Sequence, residues 1–269
     1  MGRSHVLTTS TGGVMGTVSL VLIAGSLVLM FFVVLSGVTD SIPLNKTYFL
    51  RADTSNVAGA RPMSQWTYFY VCGEGNQNCG AAVPDLPFGY AWVGGGDGAP
   101  EALLGGHGKS TTSKYYYYMW RFGWVFYLIA LFFNVMSFFT ALLAPFSRLA
   151  SGLSAFMVMF ALFWFTLAAS LMTAVFVKAR DLFRSNGQDA HIGRYAFGFT
   201  WGAWAAMFLS VIFLLLGCGA GGSSRGESRV PTRTSSGKGG FFSRQRRRGS
   251  QRGSFIDNES QRRVKDEYA

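Results

Sequence analysis

Long runs of apolar residues without a single charged side chain dominate this sequence, over residues 14–37, 122–147, 149–177 and 195–224. An α-helix rises about 1.5 Å per residue, so roughly 20 such residues cross the hydrocarbon core of a bilayer. Each run is long enough to cross with some tilt. The pattern therefore predicts four transmembrane helices, over residues 14–37, 122–147, 151–177 and 195–217.

The segments between these spans leave no room for a large soluble domain. Residues 38–121 can form a small folded domain, residues 178–194 a short loop on the same side, and residues 148–150 a tight turn on the other side. The first span exceeds the about 7–15 apolar residues of a signal peptide, so we expect a retained anchor. The predicted fold class is an all-α membrane protein, a four-transmembrane-helix bundle with a small disulfide-containing extracellular loop domain in which short β-strands can form.

Positive charge is concentrated after the fourth span. The net charge is +11, and the residues from 217 onward contribute 12 Lys and Arg against 5 Asp and Glu. Basic segments beside spans stay in the cytoplasm, which predicts that residues 1–13 and 218–269 are cytoplasmic and that both loops are extracellular. Asn45, Lys46 and Thr47 form a glycosylation sequon in the first loop, so Asn45 is a candidate glycosylation site.

A pair of cysteines lies in the same loop, where a disulfide can persist. Cys72 and Cys79 enclose six residues rich in Gly and Asn, which turn easily. Closing so short a loop stabilises a fold by about 2–3 kcal/mol. We predict a Cys72–Cys79 disulfide, with two free thiols as the alternative. Residues 66–71, just before Cys72, are aromatic and β-branched and predict an extended strand.

Small residues recur at every fourth position of the fourth span, at Gly198, Gly202, Ala206 and Ser210. Such a stripe lets a neighbouring helix approach closely. It predicts a packing face, either within this bundle or against a second copy in a homo-oligomer. Cys218, at the cytoplasmic end of the span, is a candidate for S-palmitoylation, with an unmodified cysteine as the alternative.

The tail is rich in Gly, Ser and Arg and poor in large apolar residues, which predicts disorder. A basic cluster below an anionic leaflet gains about 1 kcal/mol per Lys or Arg. Phosphorylation of Ser250 or Ser254 would weaken that attraction. One alternative is a solvated tail that only fixes topology. The other is a tail that binds nucleic acid, which membrane tethering argues against. The predicted lipid-binding segment consists of Phe241, Phe242, Arg244, Arg246, Arg247 and Arg248.

The predicted spans contain no Asp, Glu, Lys, Arg or His. Ion pathways and proton relays need such groups at membrane depth, which argues against a transporter. His5, His107 and His191 lie outside the spans and form no metal-binding pattern. We therefore expect no catalytic residue, no metal site, no cofactor and no enzyme activity.

Short motifs in a fixed order run along residues 10–220. Leu-Ser-Gly at 35–37 leaves the first span, Pro-Leu-Asn-Lys-Thr-Tyr-Phe follows at 43–49, and then come Trp66, Cys72 and Cys79. The tyrosines at 115–118, Ala-Ser-Leu-Met-Thr-Ala at 169–174 and the segment 193–201 complete the set. This order resembles the fungal tetraspan family of the eisosome-associated plasma-membrane compartment, the Sur-seven/PalI family.

The resemblance implies a structural organiser of a plasma-membrane microdomain that supports membrane organisation, cell-wall integrity and stress tolerance, without enzymatic activity. It implies as partners the lipids of the anionic inner leaflet and eisosome-compartment proteins, and no nucleic acid. The PalI branch supplies the alternative, a sensor of ambient pH or cell-surface stress that signals through its tail, although that branch usually carries a longer tail. A looser similarity to claudins differs in the Trp–Cys spacing and does not imply paracellular sealing.

Overall fold

The computed structural model describes residues 3–143 and 148–220, with side chains over 14–143 and 149–217. Its helices are α1 (Arg3–Val34), α2 (Lys114–Ala141), α3 (Arg148–Ser185) and α4 (Arg194–Ala220). Each contains a segment long and apolar enough to cross a membrane, namely Val14–Val34, Lys114–Ala141, Leu149–Ser185 and Arg194–Gly217. The predicted four-transmembrane-helix fold is confirmed.

Each helix packs against two others, because α1 and α3 both lie beside α2 and α4. Small side chains are interspersed with large ones on the buried face of α3, where Ala161, Ala168 and Ala169 are fully enclosed. In lipid there is little hydrophobic gain from joining two apolar helices, so close approach and dispersion contacts hold them together. The many alanines of α3 serve that close approach.

A polar tie joins α1, α2 and α3 within the bundle. The Asn134 carboxamide of α2 is fully buried and donates a 2.8 Å hydrogen bond to the Ser26 hydroxyl of α1. The Ser154 hydroxyl of α3 donates to the backbone carbonyl of Ser137 in α2 at 3.3 Å. Interhelical hydrogen bonds of this kind stabilise membrane bundles and fix which faces meet.

The loop domain contains a four-stranded antiparallel sheet in the order β3-β2-β1-β4. The first loop supplies β1, β2 and β3, and β4 comes from the second loop and pairs with β1, so that Arg51 lies opposite His191. Both loops are therefore needed to complete one sheet. The strands are β1 (Leu50–Asp53), β2 (Met63–Trp66), β3 (Val71–Cys72) and β4 (Ala190–Ile192).

The prediction of a single strand over residues 66–71 is wrong, because the chain reverses there. β2 ends at Trp66 and β3 begins at Val71. The turn is closed by hydrogen bonds from the Thr67 amide to the Tyr70 carbonyl at 2.9 Å and from the Tyr70 amide to the Thr67 hydroxyl at 3.1 Å. Reversal lets Tyr68 insert between the helices, where its hydroxyl donates to the Trp124 carbonyl at 2.8 Å.

Helix α3 continues past its apolar part into the second loop and ends at Ser185. Residues 178–185, expected as loop, are its last two turns. At about 1.5 Å per residue its 38 residues span far more than the roughly 30 Å hydrocarbon core. The extra length carries buried Ala179 and Phe183 into the loop domain.

Candidate functional site

The disulfide predicted between Cys72 and Cys79 is confirmed. Its loop is held down by Asn76, whose buried carboxamide donates 2.8 Å hydrogen bonds to the carbonyls of Leu44 and Thr47. The covalent bond therefore closes the loop that follows β3, and the Asn76 hydrogen bonds fasten this loop to the segment that leads from α1 into β1.

An aromatic junction, defined here as Phe49, Trp66, Phe88, Trp120 and Phe176, joins the loop domain to the helices. Phe49 of the first loop stacks on Phe176 of α3, with ring centroids 4.9 Å apart. Trp120 of α2 meets Phe176 edge to face, also at 4.9 Å. Each ring is almost completely buried. Such rings bury a large apolar area, so the junction makes the loop domain and the helix ends one packed body.

Trp66 is the centre of the loop-domain core. It is 2 % exposed, and its indole N–H donates to the Phe88 carbonyl at 3.0 Å. Its ring lies 5.8 Å from that of Phe183 in α3 and 6.3 Å from that of Trp92. The first-loop tryptophan is thus fixed by its own loop and by α3.

A carboxylate lies under the loop domain beside α2. The Asp85 side chain is 12 % exposed, and one of its oxygens lies 3.2 Å from Nε of Arg121. Its other oxygen is buried without a hydrogen-bond partner among the described residues. Burial raises the pKa of the Asp85 carboxyl from 3.8 to about 6, and the Arg121 guanidinium only partly opposes this rise. This carboxyl can therefore change its charge in mildly acidic surroundings.

A basic cavity of about 590 Å³ opens where the two loops meet the loop-side ends of α3 and α4. Within the described residues a single carboxylate, Glu74, lines it, paired with Arg51 at 2.8 Å. The cavity exists only because β4 pairs with β1 and brings the second loop to the first. Five cationic side chains line it, Lys46, Arg51, Arg180, Arg184 and Arg194.

The candidate glycosylation site Asn45 lies on a short 3₁₀ turn, Leu44–Lys46, at the wall of the basic cavity. Its Oδ1 atom is buried without a hydrogen-bond partner in the described structure. The hydroxyl of the sequon residue Thr47 is buried and donates to the Pro43 carbonyl at 2.9 Å. Glycosylation of Asn45 stays a prediction.

The small-residue stripe of α4 does not lie along one interface. Ser210 is fully buried, and a Cβ added at Gly202 would meet a methyl carbon of Leu29 in α1 at 3.4 Å. A Cβ added at Gly198, by contrast, would meet nothing within 4 Å. Four-residue spacing advances about 40° per step on a helix of 3.6 residues per turn, so the stripe, which includes Ala206, winds from an open face to the interface. Packing against a second copy stays a prediction.

Other predicted sites fall outside the described side chains. These are Cys218, the lipid-binding segment formed by Phe241, Phe242, Arg244, Arg246, Arg247 and Arg248, and the phosphorylation candidates Ser250 and Ser254. Over the residues that the structure does describe, no group of three or more His, Cys, Asp or Glu side chains could hold a metal ion.

The hydrogen bond of Asn134 to Ser26, the Asp85–Arg121 pair and the basic cavity were not predicted from the sequence. A lone Asn in an otherwise apolar span was a visible signal for the first. Arg180, Arg184 and Arg194 within one short loop region were a signal for part of the cavity. Nothing in the sequence near Asp85 predicts that its carboxyl is buried.

Comparison with known proteins places this architecture among fungal membrane proteins. The chain is 33% identical over 206 residues to Protein SUR7 of Candida albicans, covering 74% of this chain and 72% of that protein. It is 33% identical over 199 residues to SUR7 family protein FMP45 of Saccharomyces cerevisiae, covering 70% and 61%. It is 28% identical over 210 residues to the uncharacterized plasma membrane protein YNL194C of Saccharomyces cerevisiae, covering 74% and 64%. The chain thus spans less than two thirds of the length of the latter two proteins.

A model of the SUR7/PalI family matches residues 15–213. The matched range includes the apolar part of every helix, the disulfide, the sheet and all residues that line the basic cavity. The resemblance drawn from the short motifs is confirmed, and the chain belongs to the SUR7/PalI family.

Proposed function

We propose that this protein is a structural organiser of a plasma-membrane microdomain, the eisosome-associated compartment, and that it supports membrane organisation, cell-wall integrity and stress tolerance. The observation that carries the proposal is the aromatic junction, because it fixes the loop domain rigidly on the helix bundle. A rigid body of this kind can present the same surfaces to neighbouring proteins and lipids for as long as it stays in place. Membership of the SUR7/PalI family supports the same role.

The proposed location is the plasma membrane, with both termini in the cytoplasm. A relative described as a plasma membrane protein supports the location. The basic tail supports the orientation. Protease added to intact, wall-stripped cells should leave a tag at Ala269 uncut and should cut a tag inserted in the exposed loop segment 80–82. The reverse pattern would overturn the orientation.

The test of the organiser role is the motion of a fluorescent fusion at Ala269. We expect cortical patches that recover slowly after photobleaching and overlap the compartment's other proteins. Replacing Arg244, Arg246, Arg247 and Arg248 with Gln should lower tail binding to anionic vesicles, because that attraction depends on charge and is screened by salt. The patches themselves should persist in this variant. Uniform, rapidly diffusing fluorescence of the unmodified protein would contradict the proposal.

A second candidate function is a sensor of ambient pH or surface stress that signals through the tail. The Asp85–Arg121 pair favours it, because burial raises the Asp85 pKa to about 6 at the junction of the loop domain and α2. A sensor should lose its downstream response when Asp85 is replaced by Asn, whereas an organiser should still form patches. Normal signalling in that variant would rule out this carboxyl as the trigger.

A further inference from the structure

We propose that the basic cavity binds the phosphate of an anionic phospholipid headgroup from the leaflet beside the loop domain, and that an acyl chain of the same lipid lies along the open face of α4 beside Gly198.

The cavity carries more positive charge than its own acids neutralise. Glu74, the lining carboxylate, is paired with Arg51, and Arg180 is paired with its neighbour Asp181 at 2.6 Å. Lys46 and Arg194 have no ion-pair partner among the described residues. Cationic side chains held close together repel one another, and an anion placed among them is attracted by each of them. The electrostatics of this site therefore favour an anionic ligand.

The type of cation narrows the ligand class. Three arginines, Arg180, Arg184 and Arg194, converge from the ends of two helices. Guanidinium groups bind phosphate oxygens through paired, charge-assisted hydrogen bonds and keep their charge at every relevant pH. A volume of about 590 Å³ also lies within the roughly 300–1,000 Å³ of small-molecule sites. A phosphate group with a polar substituent suits both the donors and the space.

The position of Arg194 places this site at the level of lipid headgroups. It is the first residue of α4, a helix of 27 residues whose first turn presents free backbone N–H groups and a partial positive charge. The apolar span begins with the next residue, and the half-exposed Tyr195 is a side chain typical of membrane interfaces. A ligand at Arg194 therefore meets water on one side and hydrocarbon on the other.

An open strip of α4, the exposed face around Gly198, continues from the cavity toward the middle of the helix. Seven residues make about two helical turns, so Trp201 lies below Arg194 on α4 and Thr173 lies below Arg180 on α3. The Trp201 indole donates to the Thr173 hydroxyl at 3.3 Å, which shows that these two faces meet. Between the cavity and Trp201 lies Gly198, beside which a Cβ would meet nothing within 4 Å.

The position of Arg194 at the start of the span, with the open strip directly after it, is the reason to infer a lipid and not a free anion. Free phosphate would occupy only the charged end and would make no contact with the strip beside Gly198. An acyl chain lying along the strip makes dispersion contacts with it. One phospholipid occupies both parts because they are continuous at the first turn of α4.

The test uses the full chain, purified in detergent and offered equal amounts of phosphatidylinositol and phosphatidylcholine, with bound lipid counted by native mass spectrometry. We expect phosphatidylinositol to be retained in preference. The double substitution Arg180→Gln with Arg194→Gln removes two charge-assisted contacts and should lower this retention roughly tenfold or more. The matched double substitution Lys109→Gln with Lys114→Gln removes two loop-side charges outside the cavity and should leave the retention unchanged.

Glycine substitutions test the open strip separately from the charges. Gly198→Leu should lower phosphatidylinositol retention by displacing the acyl chain from the strip, whereas Gly25→Leu, at an equally open position on α1, should not. Inorganic phosphate added in excess should fail to displace the lipid. Displacement by phosphate together with an unaffected Gly198→Leu variant would mean a soluble-anion site and would overturn the lipid assignment.

Equal retention of the two lipids would overturn the whole proposal. If the double arginine variant fails to fold, Lys46→Gln takes its place, because Lys46 is exposed and has no ion pair in the described structure. The Lys46→Gln variant should still lower phosphatidylinositol retention several-fold. An unchanged retention in that variant would count against the site.

Slow recovery of the patches in cells is a separate measurement. The organiser proposal and the lipid-site proposal can therefore fail independently of each other.

Discussion

The loop domain and the helix bundle are both rich in phenylalanine and tryptophan, but they use these rings in opposite ways. In the loop domain Trp66, Phe88 and Trp92 are almost completely buried. On the helices many rings point outward, as Phe139, Phe156 and Phe163 do. Water surrounds the first region and hydrocarbon surrounds the second, so the same side chain is an anchor in one and a solvated surface in the other.

Polar groups differ between the two regions in the opposite way, since those that connect the helices are buried and the charged groups of the loop domain lie mostly at its surface. In the bundle, buried polar groups connect the helices, through Asn134 with Ser26 and Ser154 with Ser137. In the loop domain, charged groups lie at the surface or around the basic cavity, with the buried Asp85 as an exception. A polar group in lipid has few other partners, so one hydrogen bond between helices can set their register. The comparison teaches that hydrophobic burial and a disulfide stabilise the loop domain, whereas close packing and hydrogen bonds stabilise the bundle.

The largest expected effect comes from exchanging one residue type between the regions. Phe88 is 1 % exposed in the loop domain, and Phe163 is 57 % exposed on α3. Phe88→Ala should cost about 3–5 kcal/mol, because it removes a buried ring and leaves a cavity. Phe163→Ala should cost well under about 1 kcal/mol, because lipid or detergent replaces its contacts. Unfolding by sodium dodecyl sulfate measures both, and equal losses would break the comparison.

The next effect concerns the covalent bond that only the loop domain possesses. Replacing Cys72 and Cys79 with Ala should lower the free energy of unfolding by about 2–3 kcal/mol in the chain-entropy model. A reductant should weaken the unmodified protein by a similar amount and leave the double variant unchanged. Cys218→Ala, which removes the remaining cysteine, is the control. Loss of stability with reductant in the double variant would show that the effect has another source.

The helices and the disulfide could be predicted because their signals are local in sequence. A charge-free run of sufficient length determines a span by itself. Two cysteines separated by seven positions in an outer loop have few other pairing partners than each other. The strand over residues 66–71 was misread for the converse reason. Aromatic and β-branched residues favour extended structure, but the contacts of Tyr68 with α2, which require the turn, lie far along the chain.

The sheet and the basic cavity could not be predicted because they depend on distant pairs. β1 and β4 are separated by α2 and α3, and the sequence of neither strand identifies the other as its partner. Lys46, Arg51 and Arg194 each resemble an ordinary solvated loop charge in the sequence. Only the pairing of the two loops turns these charges into the wall of one cavity.

The buried carboxylate allows the stability of the loop domain to be separated from that of the bundle by pH. The folded-state pKa of Asp85 is about 6, above the ordinary aspartate value of 3.8, so the folded protein holds this proton more tightly than the unfolded chain does. Its contribution to stability is therefore present below about pH 4 and is lost as pH rises to about 6. The loss should be on the order of 2 kcal/mol after allowance for partial exposure.

Thermal unfolding in detergent between pH 4 and pH 7 measures this dependence for variants of the pair. Asp85→Asn should remove the loss of stability at higher pH. Arg121→Gln should make that loss larger, because no guanidinium then stabilises the charged carboxylate. Asp53→Asn is the control of opposite sign, since hydrogen bonds from Ser55 lower the pKa of Asp53 and stabilise its charged form. An unchanged pH dependence in Asp85→Asn would contradict the assignment.

The smallest expected effect tests the bundle side of the comparison. Asn134→Leu replaces the carboxamide with an apolar side chain of similar size and so removes the hydrogen bond to Ser26, which should cost about 1 kcal/mol. Thr140→Val is the matched control, because the Thr140 hydroxyl bonds only to the Ser137 carbonyl of its own helix. Its replacement should change the unfolding midpoint in sodium dodecyl sulfate by much less. If both variants behave alike, close packing alone holds the helices together, and the polar tie between α1 and α2 contributes nothing measurable. A clear loss of stability confined to Asn134→Leu would instead mean that one buried carboxamide stabilises the bundle measurably, as buried aromatic rings stabilise the loop domain.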